Sequence, residues 1–137
     1  MRKLFTFFIL VLTGLGAGYS ATPDKAIEPP QDDKQVEVFY FHLTRRCATC
    51  KAVENVTRNY VEKRYGDSVS FKALNLDEKE GRSVADKHHV SGQALIIVGG
   101  ETTTDITGKA FMNALNNPEK LEELISEIID PLLIRTR

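Results

Sequence analysis

The chain has 137 residues, of which 42% are hydrophobic and 27% are charged, and its formal net charge is -1. This composition fits one soluble domain with a short additional segment. A net charge near zero, with the basic residues spread along the chain, excludes the strong positive field that nucleic-acid binding needs. We therefore expect no nucleic-acid partner.

The N-terminus has the pattern of a secretory signal segment. Two basic residues precede an almost wholly apolar run over 4–15, and several small residues follow up to position 21. The apolar run is shorter than the ~20 residues that a membrane-spanning helix needs. We therefore predict a signal peptide over residues 1–20 and a periplasmic or secreted protein. The alternative is a retained anchor, which would be the only attachment to a membrane.

A linker and then one folded domain are predicted to follow. Residues 21–34 contain three of the five prolines and several charges, which is typical of a flexible linker. The domain is predicted over residues 35–134, with a tail over 135–137. A domain of about 100 residues can bury a core without disulfide bonds.

The first half of this domain predicts a strand, a helix, a strand and a second helix. Val36–Leu43 is almost continuously apolar, as expected for a central strand. Residues 48–65 carry apolar side chains at helical spacing, and Gly66 follows as a helix stop. Residues 69–76 alternate as a strand does, and a shorter helix is expected over 78–88. The helical connection between the two strands predicts that they are parallel.

The second half predicts a β-hairpin. Residues 95–98 form a short apolar run, and residues 102–106 are rich in β-branched side chains. Gly99-Gly100 lies between them as a tight turn, so this pair of strands should be antiparallel.

The chain then predicts a short helical segment and a long final helix. Gly108 is expected to break the chain before a helical turn over 110–115. Pro118 is expected at the first position of the last helix, which should stop near Pro131. The predicted element order is β-α-β-α-β-β-α, which belongs to the α/β class.

The only two cysteines lie in the segment Arg45-Arg46-Cys47-Ala48-Thr49-Cys50-Lys51. A disulfide that closes so short a loop constrains the unfolded chain little, which favours thiol chemistry or metal binding. Cys47 is predicted at a helix N-terminus, where free N–H groups, helped by Arg45, Arg46 and Lys51, favour a thiolate. Cys50 lies one turn further along on the same face. It could therefore resolve a mixed disulfide formed at Cys47.

Other interpretations of the same residues remain open. The pair could be an inert short-loop disulfide, or two thiolates that bind copper(I), zinc or arsenite. His42 or His89 could complete a Cys2His2 site, although His88 and His89 are adjacent and would point about 100° apart on a helix. His42 could instead serve as an acid–base group for thiol proton transfer.

The element order and the motif together resemble the thioredoxin-like superfamily. The matching stretches are VEVFYFHLTRRCATCK, VSFKALNLD, VSGQALIIVGGE and the last amphipathic helix, so the resemblance covers residues 35 to 130. It implies a central mixed four-stranded sheet flanked by helices, with Cys47 as nucleophile and Cys50 as resolving thiol. It also implies a protein or small-molecule thiol or disulfide as substrate. The stretch lacks a G-x-G-x-x-G fingerprint for a flavin or nicotinamide, so we expect no cofactor.

A narrower resemblance is carried by FYFHLTRRCATCKAVE. This string is similar to a small family of secreted bacterial thioredoxin-like proteins, some labelled ArsF-type subunit of a nitrophenyl compound nitroreductase. That label implies a further alternative, a non-catalytic thioredoxin-like subunit of a larger redox enzyme.

The sequence departs from thioredoxin at three places around the motif. Arg46 replaces the usual aromatic residue before the first cysteine, and Ala48-Thr49 replaces Gly-Pro between the cysteines. Ala94 stands where these folds place a cis-proline, and Gln93 is the next candidate for that slot. A cis bond before a residue other than proline costs about 2.5–4 kcal/mol, so we expect a trans bond or a strained one. The edge that pairs with substrate, formed by Gln93 and Ala94, should therefore be altered.

Overall fold

A computed structural model describes residues 36–135. The predicted signal segment over 1–20, the linker over 21–34 and the last two tail residues lie outside this range. No helix within the described range is long and apolar enough to cross a membrane. The elements are β1 (Val36–His42), α1 (Ala48–Tyr65), a 3-10 turn (Gly66–Ser68), β2 (Val69–Asn75), α2 (Lys79–Lys87), β3 (Ala94–Gly99), β4 (Thr102–Asp105), α3 (Thr107–Asn113) and α4 (Pro118–Arg135).

The four strands form one mixed sheet in the order β2-β1-β3-β4. β1 and β2 are parallel, with Val36 opposite Val69, and β1 and β3 are antiparallel. β4 pairs antiparallel with β3, and Gly99 is the last residue of β3, opposite Thr102. The turn is therefore Gly100-Glu101, one residue later than the predicted Gly99-Gly100. The predicted fold class and strand directions are therefore confirmed. β1 lies inside the sheet because its nearly continuous apolar sequence suits burial on both faces.

Helices cover both faces of the sheet, and side chains of β1 alternate between them. Val36, Val38 and Tyr40 lie in a cluster with α1, α3 and α4, whereas Phe39 and Phe41 pack on the side of α2. The larger cluster includes the fully buried Leu121, Ile125 and Ile129 of α4. Cys47 lies just before α1, at the end of the sheet where β1 ends.

The helix after the hairpin begins earlier than the sequence predicted. We expected Gly108 to break the chain before a turn over 110–115, but α3 starts at Thr107 and contains Gly108. The reason is a local cap. The Asp105 carboxylate accepts hydrogen bonds from the Thr107 backbone N–H at 2.8 Å and from its hydroxyl at 2.5 Å. These bonds satisfy a donor at the helix start.

The last helix also runs past its predicted end. The prediction that it stops near Pro131 is wrong, because α4 continues through Pro131 to Arg135. Proline removes one backbone hydrogen bond inside a helix. The following residues, Leu132 and Leu133, pack against the main core, and this burial offsets the loss.

Candidate functional site

Cys47 lies at the junction between β1 and α1, and a second loop braces that junction. The Thr44 backbone N–H donates to Asp77 Oδ2 at 2.8 Å, and Asn75 Nδ2 donates to Thr44 Oγ1 at 3.0 Å. Asp77 and Asn75 belong to the end of β2 and the loop after it. The hydrogen bond from Thr44 holds the pKa of the Asp77 carboxyl below its usual value. The segment before Cys47 is therefore tied to the neighbouring parallel strand.

Cys47 is the N-cap residue of α1, and its backbone is extended with φ −79° and ψ 173°. The residue is exposed, and its Sγ accepts a hydrogen bond from the Cys50 backbone N–H at 3.2 Å. The pKa of the Cys47 thiol is lowered, first by the side-chain hydrogen bond with Cys50 and then by this backbone N–H. Hydrogen bonds to a sulfur stabilise its anionic form, so Cys47 is the thiol that ionises first.

Cys50 lies in the same first turn but faces inward. It is only 4% exposed, and burial is the first cause that raises the pKa of its thiol, followed by the hydrogen bond with Cys47. Its Sγ donates to Gln93 Oε1 at 3.5 Å. Both cysteines are free thiols. The predicted thiol pair therefore has one accessible sulfur that favours the thiolate and one buried sulfur that favours the thiol.

Tyr40 also belongs to this site, although its sequence context predicts only a residue of a central apolar strand. Its ring is wholly buried, and its hydroxyl donates to the Cys50 backbone carbonyl at 2.9 Å. Burial raises the pKa of Tyr40, so the hydroxyl keeps its proton. A tyrosine in a central strand indicates only that its buried hydroxyl needs some hydrogen-bond partner. That partner is ten positions away and could not be identified from spacing.

The basic residues around the motif differ in their surroundings. Arg46 forms an ion pair with Glu54 of α1, which also accepts from Arg58 at 2.6 Å. The Glu54 side chain is only 13% exposed, so its carboxylate is largely shielded from solvent. Arg45 and Lys51 are exposed. The positive charge of Arg46, predicted to support the thiolate, is thus shared with a carboxylate.

The histidines lie at different places relative to the cysteines. The His42 ring is 5.8 Å from the Tyr40 ring, and its Nδ1 is 3.0 Å from the Leu43 carbonyl oxygen. The His88 ring contacts the Phe39 ring at a tilt of 38°, with the ring centroids 4.8 Å apart, on the opposite face of the sheet from Tyr40. His89 is exposed, with a positive φ of 57° just after α2. Within residues 36–135, no group of three or more metal-ligating side chains could hold an ion.

Gln93 contacts the Cys50 thiol from the position just before β3, and Ala94 is the first residue of that strand. Ala94 is buried and pairs with Phe41 of β1. No peptide bond within residues 36–135 is cis, so the bond between Gln93 and Ala94 is trans. At the position where thioredoxin-like folds place a cis-proline, this protein has a trans bond and the first residue of a regular strand. The group that faces the buried Cys50 sulfur there is the Gln93 amide.

Comparison with known proteins identifies the architecture. No family model and no curated protein match the chain. Among solved structures, thioredoxin O2 from Arabidopsis thaliana in its oxidised state superposes with a TM-score of 0.52 at 21% identity, covering 71% of this chain and 77% of that one. The fold is thioredoxin-like. The germline-specific thioredoxin Deadhead from Drosophila melanogaster gives 0.50 at 16% identity, covering 71% and 84%. At these identities, the similarity establishes the thioredoxin-like fold, and the chemistry has to be argued from this chain's own residues.

Proposed function

We propose that this protein is a thiol–disulfide oxidoreductase in which Cys47 is the nucleophile and Cys50 is the resolving thiol. The observation that carries the proposal is the unequal environment of the two sulfurs. Cys47 is exposed with a lowered pKa, whereas Cys50 is buried with a raised pKa one turn away. Exchange needs a thiolate that a substrate can reach and a second thiol that waits until the first has reacted.

The reaction that follows from this arrangement has two steps. The Cys47 thiolate attacks a disulfide, which forms a mixed disulfide and releases one substrate thiolate. Cys50 then gives up its proton, which the thiolate released in the first step takes up, and the Cys50 thiolate attacks the Cys47 sulfur and releases the second substrate thiolate. The two protein thiols are oxidised to a disulfide, and the substrate gains two electrons. Run in reverse, the same steps transfer the disulfide to a dithiol.

The cellular setting is part of the proposal. The signal pattern over residues 1–20 supports export to the periplasm or beyond, where protein disulfides persist. The substrate would be a protein or small-molecule thiol or disulfide. Expression of the full chain in bacteria, followed by fractionation and N-terminal mass determination, tests this. A mature chain outside the cytoplasm that starts near residue 21 supports export, and an intact chain in the cytoplasm refutes it.

The first experiment is a redox titration of the two thiols. The protein is equilibrated in a series of thiol–disulfide buffers, alkylated, and weighed to count free cysteines. A reversible two-electron transition near the potentials of cellular thiols supports the proposal, and its midpoint indicates whether the protein donates or accepts disulfides. A disulfide that resists all but the strongest reductant would indicate an inert bridge and would overturn the proposal.

Single and double variants separate this function from the alternatives. Cys47→Ser should abolish exchange, whereas Cys50→Ser should trap mixed disulfides at Cys47. A double Cys→Ser variant that keeps full function would instead favour a non-catalytic subunit, as the ArsF-type label implies. Capture of a soft metal by two thiolates is less favoured because the raised pKa of Cys50 opposes its ionisation. Stoichiometric binding of copper(I), zinc or arsenite that disappears in either single variant would revive it.

A further inference from the structure

Gln93 lies outside the Cys-x-x-Cys motif, and its side-chain amide contacts the sulfur of Cys50. It is half-buried, lies directly before β3, and accepts a hydrogen bond from Cys50 Sγ at its Oε1, at 3.5 Å. The 3.5 Å distance lies within the range of hydrogen bonds that involve sulfur. Because Cys50 is 4% exposed, water has little access to this thiol. The amide of Gln93 therefore takes the place that water would hold in an open site.

The chemistry of an amide suits both forms of the Cys50 sulfur. The Cys50 thiol has a single proton, which can point to the Cys47 sulfur or to the Gln93 carbonyl oxygen, and once Cys47 is in a mixed disulfide Gln93 remains as its acceptor. A thiolate only accepts, and the same carbonyl oxygen would repel it. The end of a glutamine side chain carries an NH2 group as well, so a half-turn about its last bond brings a donor to the sulfur. Hydrogen bonds to an anion are stronger than neutral ones, so this turn favours the thiolate when Cys50 must react.

We propose that Gln93 is a positioning residue for the resolving step, holding the Cys50 sulfur beside Cys47 first as a thiol and then, after the amide turns, as the attacking thiolate. This inference rests on the proposed oxidoreductase function and deepens it. Gln93 takes no proton, because an amide is not a base at neutral pH. The Cys50 proton ends on the thiolate that the first step released, the sulfur–sulfur bond to Cys47 forms, and the second substrate thiolate leaves.

The titratable groups around Cys50 are shared by all variants of position 93. Cys47 acts on Cys50 from the same helix, and Tyr40 donates to its carbonyl from β1. Tyr40 in turn interacts with Arg46 and Glu54. A change in the pH dependence of the resolving step between variants can therefore be assigned to position 93.

The test is the reaction of the reduced protein with dithiobis(nitrobenzoate), followed by stopped flow. Attack by Cys47 releases a first coloured thiolate, and attack by Cys50 releases a second, so one trace reports both steps. Gln93→Met keeps the length of the side chain and removes both donor and acceptor. We expect it to slow the second release about tenfold, as loss of one hydrogen bond to an ionised sulfur implies, while the first release stays within about twofold.

Two further variants make the result specific. Gln93→Glu keeps an acceptor but has no donor, so its second release should begin at higher pH than in the wild type. Ser91→Ala, an exposed residue of the same loop, is the matched control and should change neither phase. Melting temperatures of all variants verify that the fold persists.

Each outcome decides between the inference and the function on which it rests. If the second release in Gln93→Met matches the wild type, or both phases slow equally, Gln93 is not a positioning residue for resolution. An unshifted pH profile in Gln93→Glu would also overturn the inference. In these cases the proposed function stands. If the wild type shows no second release, or Cys47→Ser keeps the first one, the oxidoreductase proposal itself fails.

Discussion

Removal of a single buried hydroxyl, in Tyr40→Phe, should weaken the attachment of the motif helix to the sheet. The Tyr40 hydroxyl donates to the Cys50 carbonyl at 2.9 Å, and the ring stays packed after the substitution. The loss is therefore one buried neutral hydrogen bond, which typically contributes about 1 kcal/mol to the free energy of unfolding. For a domain of this size, about 1 kcal/mol corresponds to a decrease of roughly 4–8 °C in the melting temperature.

Urea unfolding of the reduced protein measures this effect, with Tyr60→Phe as the control. Tyr60 lies on the same helix as Cys50, is half-buried, and contacts the Tyr65 ring edge-on. The midpoint should fall in Tyr40→Phe with an unchanged slope, and it should stay near the wild-type value in Tyr60→Phe. Equal midpoints for both variants would refute the view that the Tyr40 hydroxyl secures the first turn of α1.

The same tyrosine predicts how stability depends on alkaline pH. Burial raises the pKa of Tyr40 above its ordinary value of 10.0, so the folded state keeps the phenol protonated where the unfolded state ionises. The contribution of this group is fully present below pH 10.0 and is lost as the pH rises above it. Tyr40→Phe should reduce this alkaline loss of stability, measured as urea midpoints at several pH values. A loss as steep as in the wild type would contradict this assignment.

Three other predictions follow from the described contacts. Gly81→Ala should lower the free energy of unfolding by about 2 kcal/mol or more, because an added Cβ would lie 2.0 Å from the Asn75 carbonyl oxygen at the end of β2. Gly108→Ala is the control: an added Cβ there has nothing within 4 Å, so the change should be neutral or stabilising. Urea unfolding midpoints of the two variants measure the difference. Iodoacetamide at rising pH should modify Cys47 first, because its pKa is lowered while that of Cys50 is raised, and peptide mass mapping that found Cys50 modified first would contradict this. Pro131→Ala should raise the melting temperature, since it restores a helical hydrogen bond, and an unchanged or lower value would argue against strain there.

The pattern of apolar residues was sufficient to predict the strand and the helix on either side of the Cys-x-x-Cys motif. The helix predicted over residues 48–65 matches α1 at both ends, and the first strand differs by one residue. These boundaries follow from local signals: a continuous apolar run, a helical stripe, and Gly66 at the stop. The end of α4 does not follow from a local signal. It depends on the packing of Leu132 and Leu133 against the core, which overrides the usual effect of Pro131.

The sequence located the two thiols at a helix start but not the contacts around them. It predicted Cys47 as a nucleophile with a second thiol one turn away, and it did not indicate that one sulfur is exposed and the other buried. The sequence did not indicate that Glu54 of α1 binds Arg46 in the loop before the motif. It placed Gln93 at the substrate edge without its bond to Cys50. Contacts between separate elements depend on how the strands and helices pack, and spacing along one element carries no information about that packing.

The unequal environment of the two thiols follows from where the motif starts on the helix. Cys47 is the N-cap residue, so its backbone is extended and its side chain turns back over the free N–H groups of the first turn. Cys50 is the third residue of that helix and faces the sheet, while the next residue, Lys51, is exposed. A second thiol moved to position 51 would therefore lie in water and lose both its contact with Gln93 and the burial that keeps Cys50 protonated. The spacing of two residues between the cysteines is thus the one that gives an accessible thiolate and a protected thiol within a single turn.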